Sequence, residues 1–162
     1  MEKGGRRSVL TIEVDPHRAV PEIIRELAKT HGVTFDVGLL ADIYNDGRVD
    51  SLPETRRQLI SIGSVHYDEP LSSEEAVRRI TTESKTYTPA TARQLLTCAL
   101  RRPAVKGIAL GTQITLKGRR YVFSLSLKDG VPALEVLPDR REVAEETWEP
   151  GTEFAMVSAG VA

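Results

Sequence analysis

Asp42, Asp46 and Asp50 recur every four residues around Asn45-Asp46-Gly47. A calcium loop needs oxygen ligands at its positions 1, 3, 5, 9 and 12, and a glycine at 6 for the turn. Counting from Asp42 puts Asp46, Gly47 and Asp50 at positions 5, 6 and 9, but Tyr44 at 3 and Pro53 at 12. The bidentate acid that closes such a loop is missing. The segment therefore reads as a helix stop and turn, built from residues that tolerate positive φ.

Cys98 is the lone cysteine, so neither an internal disulfide nor a cysteine-based zinc cage is available. A nucleophilic thiolate needs a base or a cationic setting. Cys98 instead lies beside the Leu95 and Leu96 stripe, where a small apolar packing residue is expected. His17, His31 and His66 are scattered, with no pair at helical zinc spacing and no recognisable triad. No glycine-rich loop joins a strand to a helix, so phosphate cradling of the nucleotide-binding kind is not expected. With no acid–base pair, metal cluster or cofactor motif assembled by local spacing, the chain reads as a binding module without a cofactor rather than an enzyme.

Charge is the strongest asymmetry. The net charge of −1 conceals a middle segment, residues 72–128, with eleven Lys/Arg against three acids, a net of +8. Residues 1–71 carry a net of −3 and residues 129–162 a net of −6. A basic stretch of this kind fits phosphate backbones or an acidic protein, unless the acidic end folds back onto it. The expected nucleic-acid-binding residues are Arg78, Arg79, Arg93, Gln94, Arg101, Arg102, Lys117, Arg119 and Arg120. Helices at 73–84 and 89–102 followed by a hairpin with Lys117-Gly118-Arg119-Arg120 at its tip follow the element order of a winged helix-turn-helix. In that arrangement the second helix would offer Thr91, Arg93, Gln94 and Thr97 to a groove. The connection from Thr81 to Thr88 is longer than such a turn requires. Tyr121 and Phe123 follow the arginines but share the apolar alternation, which assigns them to the core rather than to base stacking.

The elements that would position these residues follow from periodicity. Leu10, Ile12 and Val14 alternate, predicting a short strand over 8–14 that ends at Pro16. Pro21 and Glu22 suit a first helical turn, Ile23, Ile24, Leu27 and Ala28 give its stripe, and Gly32 lies past its end. Further helices are expected over 34–44, 53–62, 73–84 and 89–102. After Pro103 the period changes to two. Turns at Gly118-Arg119 and Asp129-Gly130 would pair Leu116 with Tyr121, Ile114 with Phe123, Leu125 with Leu134 and Phe123 with Val136. Both turns place Ile114, Leu116, Tyr121, Phe123, Leu125, Leu134 and Val136 on one face. Strands are also expected at 107–110 and 152–158.

The expected fold class is α+β. Residues 1–103 would form a mainly helical half of four to five helices plus one short strand. Residues 104–162 would form an antiparallel β-meander or small barrel, the two halves sharing a core. No apolar run reaches the ~20 residues of a membrane span, and no signal peptide is expected, since the Met1 to Arg7 start is polar and no signal-type apolar region follows it. The expected setting is soluble and cytoplasmic, with no membrane partner. The leading functional expectation is nucleic-acid (DNA) binding through residues 78–120. The alternative is a protein-interaction or assembly component, such as a phage or bacterial accessory factor, using acidic and basic surfaces for a protein partner or self-association.

Overall fold

A computed structural model describes residues 6–54, 57–83, 86–139 and 147–159. The chain opens with β1 (Arg6–Val14), in which Ile12 and Val14 are buried while Thr11 and Glu13 face water. Helix α1 (Val20–His31) has a proline in its first turn and stops at Gly32, whose φ of 69° suits a residue without Cβ. Helix α2 (Val37–Asp46) is capped by Asp36, whose side chain accepts from the Leu39 N–H at 3.0 Å. Gly47 ends α2 and leads into β2 (Arg48–Ser51).

The expected helix over 53–62 is not formed. In its place is β3 (Gln58–Val65), with Ile60 and Ile62 buried on one face. β3 lies between β1 and the last strand, so pairing on both sides decides its conformation over local propensity. Helix α3 (Ser73–Glu83) begins where Ser72 accepts from the Glu75 N–H at 3.1 Å. β4 (Tyr87–Pro89) occupies the expected start of the next helix. Helix α4 (Ala92–Arg101) starts later, at a reciprocal cap between Thr91 and Gln94. Then come β5 (Gly107–Leu116), β6 (Arg119–Lys128), β7 (Val131–Pro138) and β8 (Phe154–Ala159).

Among the described residues, eight strands form one mixed sheet in the order β1-β3-β8-β5-β6-β7, with β2 also on β5 and β4 also on β8. β5 and β8 meet in parallel at Ile108 and Phe154, whereas the other pairs are antiparallel. The expectation of an N-terminal half of four to five helices plus one short strand, followed by a β half, is therefore corrected. Four of the eight strands precede residue 103, and helices are interspersed among them. β5, β6 and β7 do form an antiparallel meander, but it is one flank of the common sheet.

The second turn, at Asp129-Gly130, pairs Leu125 with Leu134 and Phe123 with Val136, as the alternation requires. The first turn is shifted: Lys117 and Gly118 occupy it, and Ile114 faces Tyr121 while Leu116 faces Arg119. Lys117 and Gly118 both have positive φ, 52° and 77°, the conformation of a two-residue hairpin turn that follows strand twist. The shift moves the pairing by an even number of residues, so the apolar set stays on its face.

Alternation in β8 shows which helix covers which side. Ala155 and Val157 join the cluster containing Ile23, Ile24 and Leu27 of α1, Ile43 of α2, and Leu95 and Leu96 of α4. Phe154 and Met156 join the opposite cluster, with Tyr67, Leu71, Trp148, and Ala76 and Ile80 of α3. Helices α1, α2 and α4 thus pack on one face, and α3 on the other.

Candidate nucleic-acid interface

The two faces separate the expected basic residues. Arg78 and Arg79 lie on α3, while Arg93 and Gln94 lie on α4 across the sheet, with β4 between the helices in sequence. The helix pair of a winged helix-turn-helix is not assembled.

Arg78 Nε donates to Glu75 at 3.1 Å, and Arg79 Nε reaches the same carboxylate at 3.1 Å. Arg79 also pairs with Glu69 and stacks 5.5 Å over the Tyr67 ring. Hydrogen bonds from Arg78 and Arg79 hold the Glu75 carboxyl below its ordinary range. On α4, Arg93 Nη1 meets Glu54 Oε2 at 2.7 Å, and its Nε donates to the Arg18 carbonyl at 2.8 Å. The Glu54 side chain is only 6% exposed. Gln94 is buried, its Oε1 accepting from the Thr91 N–H at 2.9 Å. Arg93 and Gln94 are engaged in holding the fold together, Arg79 bridges Glu69 and Glu75, and Arg78, 66% exposed, pairs with Glu75 of its own helix. Arg101 and Arg102 are exposed at the C-terminal end of α4.

The β5–β6 tip differs. Lys117, Arg119 and Arg120 are all exposed, and none pairs with a carboxylate among the described residues. Thr115 of β5 pairs with Arg120 of β6 on one side and with Arg48 of β2 on the other. Residues opposed in antiparallel ladders share a face, so Arg48 and Arg120 flank Thr115 in one row. Arg119, opposite Leu116, belongs to the other face. The close approach of β2 depends on Gly47, where a Cβ would stand 2.7 Å from the Ile43 carbonyl oxygen and 3.1 Å from that of Thr115. Arg48 is exposed and shares its charge with Asp50, 3.0 Å away. Sequence reasoning missed Arg48, because nothing local marks it as a neighbour of the tip. Its place follows only from the β2–β5 register.

Of the acidic C-terminal block that would fold back onto this surface, Glu142, Glu145 and Glu146 lie outside the described residues. Glu149 is exposed in a turn where its carbonyl accepts from the Thr152 hydroxyl at 2.6 Å.

Asp42 and Asp46 lie on α2 and Asp50 on β2, so they belong to a helix and a strand rather than to a loop wrapping one point. No group of three His, Cys, Asp or Glu residues close enough to hold a metal occurs among the described residues. Cys98 is fully buried, and burial pushes its thiol from 9.0 up to about 12. His31 Nε2 lies 2.9 Å from the Leu100 carbonyl, joining the ends of α1 and α4. Ser73 donates to Asp139 and accepts from Trp148 Nε1 at 2.9 Å, a latch between the start of α3 and later segments. No described helix is long and apolar enough to cross a membrane.

No family model matches the chain, and neither a curated protein nor a solved structure matches it.

Proposed function

We propose that the protein is a binding module for nucleic acid that grips the phosphate backbone through the β5–β6 tip. Lys117, Arg119 and Arg120 form the contact set, with Arg48 at its flank. The observation that carries this reading is the absence of a carboxylate partner for those three cations among the described residues, where Arg78, Arg79 and Arg93 of the same basic segment are paired. Arginines at an exposed tip reach backbone phosphates before base edges, so recognition is sequence-tolerant. The cytoplasm is the setting that this reading assigns to the protein.

The test is a salt series with duplex DNA, single-stranded DNA and RNA. About three to four phosphate contacts give a log–log slope near −3 on duplex DNA. Replacing Arg119 and Arg120 together by Glu weakens binding and leaves the melting temperature unchanged, because exposed tip residues contribute little packing. No binding at low salt, or an unaltered affinity in the double variant, overturns the reading. In that case the weight passes to the assembly alternative, tested by the mass of the protein in solution.

A further inference from the structure

Helices α1 and α2 are joined by only a few residues yet pack on different neighbours. α1 lies against α4, whereas α2 lies against β5 and β2. The two helices therefore splay apart and leave a cleft of about 480 Å³. Its walls are Ile24, Phe35, Val37, Leu40 and Ala41, and its polar lining is Arg25, Tyr44 and Asn45. Val37, Leu40, Ala41 and Tyr44 follow the i, i+3, i+4, i+7 spacing, so α2 turns a second apolar stripe into this cleft while Ile43 faces the core. Val37 remains 68% exposed.

Charge gives the cleft a direction. Its lining holds one cation, Arg25, and no carboxylate. The two acids of α1 nearest Arg25, Glu22 and Glu26, both pair with Arg18. Arg25 has no ion pair or hydrogen bond among the described residues, and neither the Tyr44 hydroxyl nor the Asn45 amide has a hydrogen bond there. An apolar cleft of this size with a few converging polar groups is the usual form of a small-molecule site. The guanidinium at its rim is donor-only and positively charged, and the phenol can donate beside it, which favours an acceptor carrying negative charge.

We propose that the α1–α2 cleft binds a small amphipathic carboxylate, its apolar chain or ring lying on Phe35, Val37 and Leu40 and its acid head on Arg25. This site is independent of the basic tip, and its success or failure leaves the nucleic-acid reading untouched.

Octanoate and 1-octanol serve as probes, since they share an apolar tail and differ in the head group. Each is titrated into the full chain while backbone amide resonances are followed by NMR. Octanoate shifts amides of residues 20–46 saturably and binds about tenfold more tightly than the alcohol, the effect of one charge-assisted contact. Arg25→Gln, at an exposed position, brings octanoate down to the affinity of octanol. Ala41→Trp fills the cleft and removes both. The proposal is overturned if neither probe gives a saturable shift in these residues, or if Arg25→Gln keeps the preference for the acid.

Discussion

Arg93 and Arg120 carry the same charge in opposite surroundings. The Arg93 side chain is 22% exposed and faces a Glu54 carboxylate that is more deeply buried still. Removing Arg93 would strand that carboxylate in a poorly solvated site, whereas removing Arg120 exposes nothing. A basic residue count along the chain cannot distinguish these cases, because the partner Glu54 is distant in sequence. Apolar residues were more legible. Phe123 was assigned to the core by alternation alone, and it is fully buried. Phe123→Ala should cost about 3–5 kcal/mol, read as a lowered urea midpoint with native-like circular dichroism at low urea. A loss below about 1 kcal/mol would contradict the buried position of Phe123, because the lost transfer free energy alone is larger.

At the scale of elements, local signals located those that are fixed locally. The Asp129-Gly130 turn joins two alternating runs and sets their register. The Thr91 and Gln94 cap fixes where α4 begins, although Thr88-Pro89 offered an earlier start. That earlier segment became β4 because β8 supplies hydrogen-bond partners for it. β3 is hidden in the sequence for the same reason, since neither of its partners adjoins it there. The opposite placement of α3 and α4 was also hidden, because two amphipathic helices look alike until the sheet assigns their faces. Gly111 illustrates how closely the elements meet. Its N–H donates to the Ala90 carbonyl at 2.8 Å, and its carbonyl accepts from Leu52 at 2.9 Å. A Cβ there would stand 2.7 Å from the Ala90 oxygen, a backbone atom that cannot swing aside. Gly111→Ala should therefore destabilise the protein by about 1–3 kcal/mol, measured by chemical unfolding. A neutral result would mean that the β4–α4 connection shifts freely.

For the whole molecule, burial of titratable groups sets an alkaline limit. Burial pushes the Cys98 thiol from 9.0 and the Tyr67 phenol from 10.0 up to about 12 each. Unfolding returns both to their ordinary values, so above pH ~9 the unfolded chain loses protons that the folded one keeps. Their contribution to stability is complete below pH ~9 and is lost as pH rises toward ~12. The urea midpoint should fall across that window, and Cys98→Ala should move the onset of the fall upward toward pH ~10. An onset unchanged in the variant would show that the thiol plays no part. The position of β8 has a further consequence, for synthesis. It comes last among the strands yet sits between β3 and β5. While the chain is being made, β2 can already cover β5 at Thr112–Thr115, but the β3 edge and the start of β5 at Ile108 stay open. They are covered only when residues 154–159 pair, and until then they can be captured by a neighbouring nascent chain.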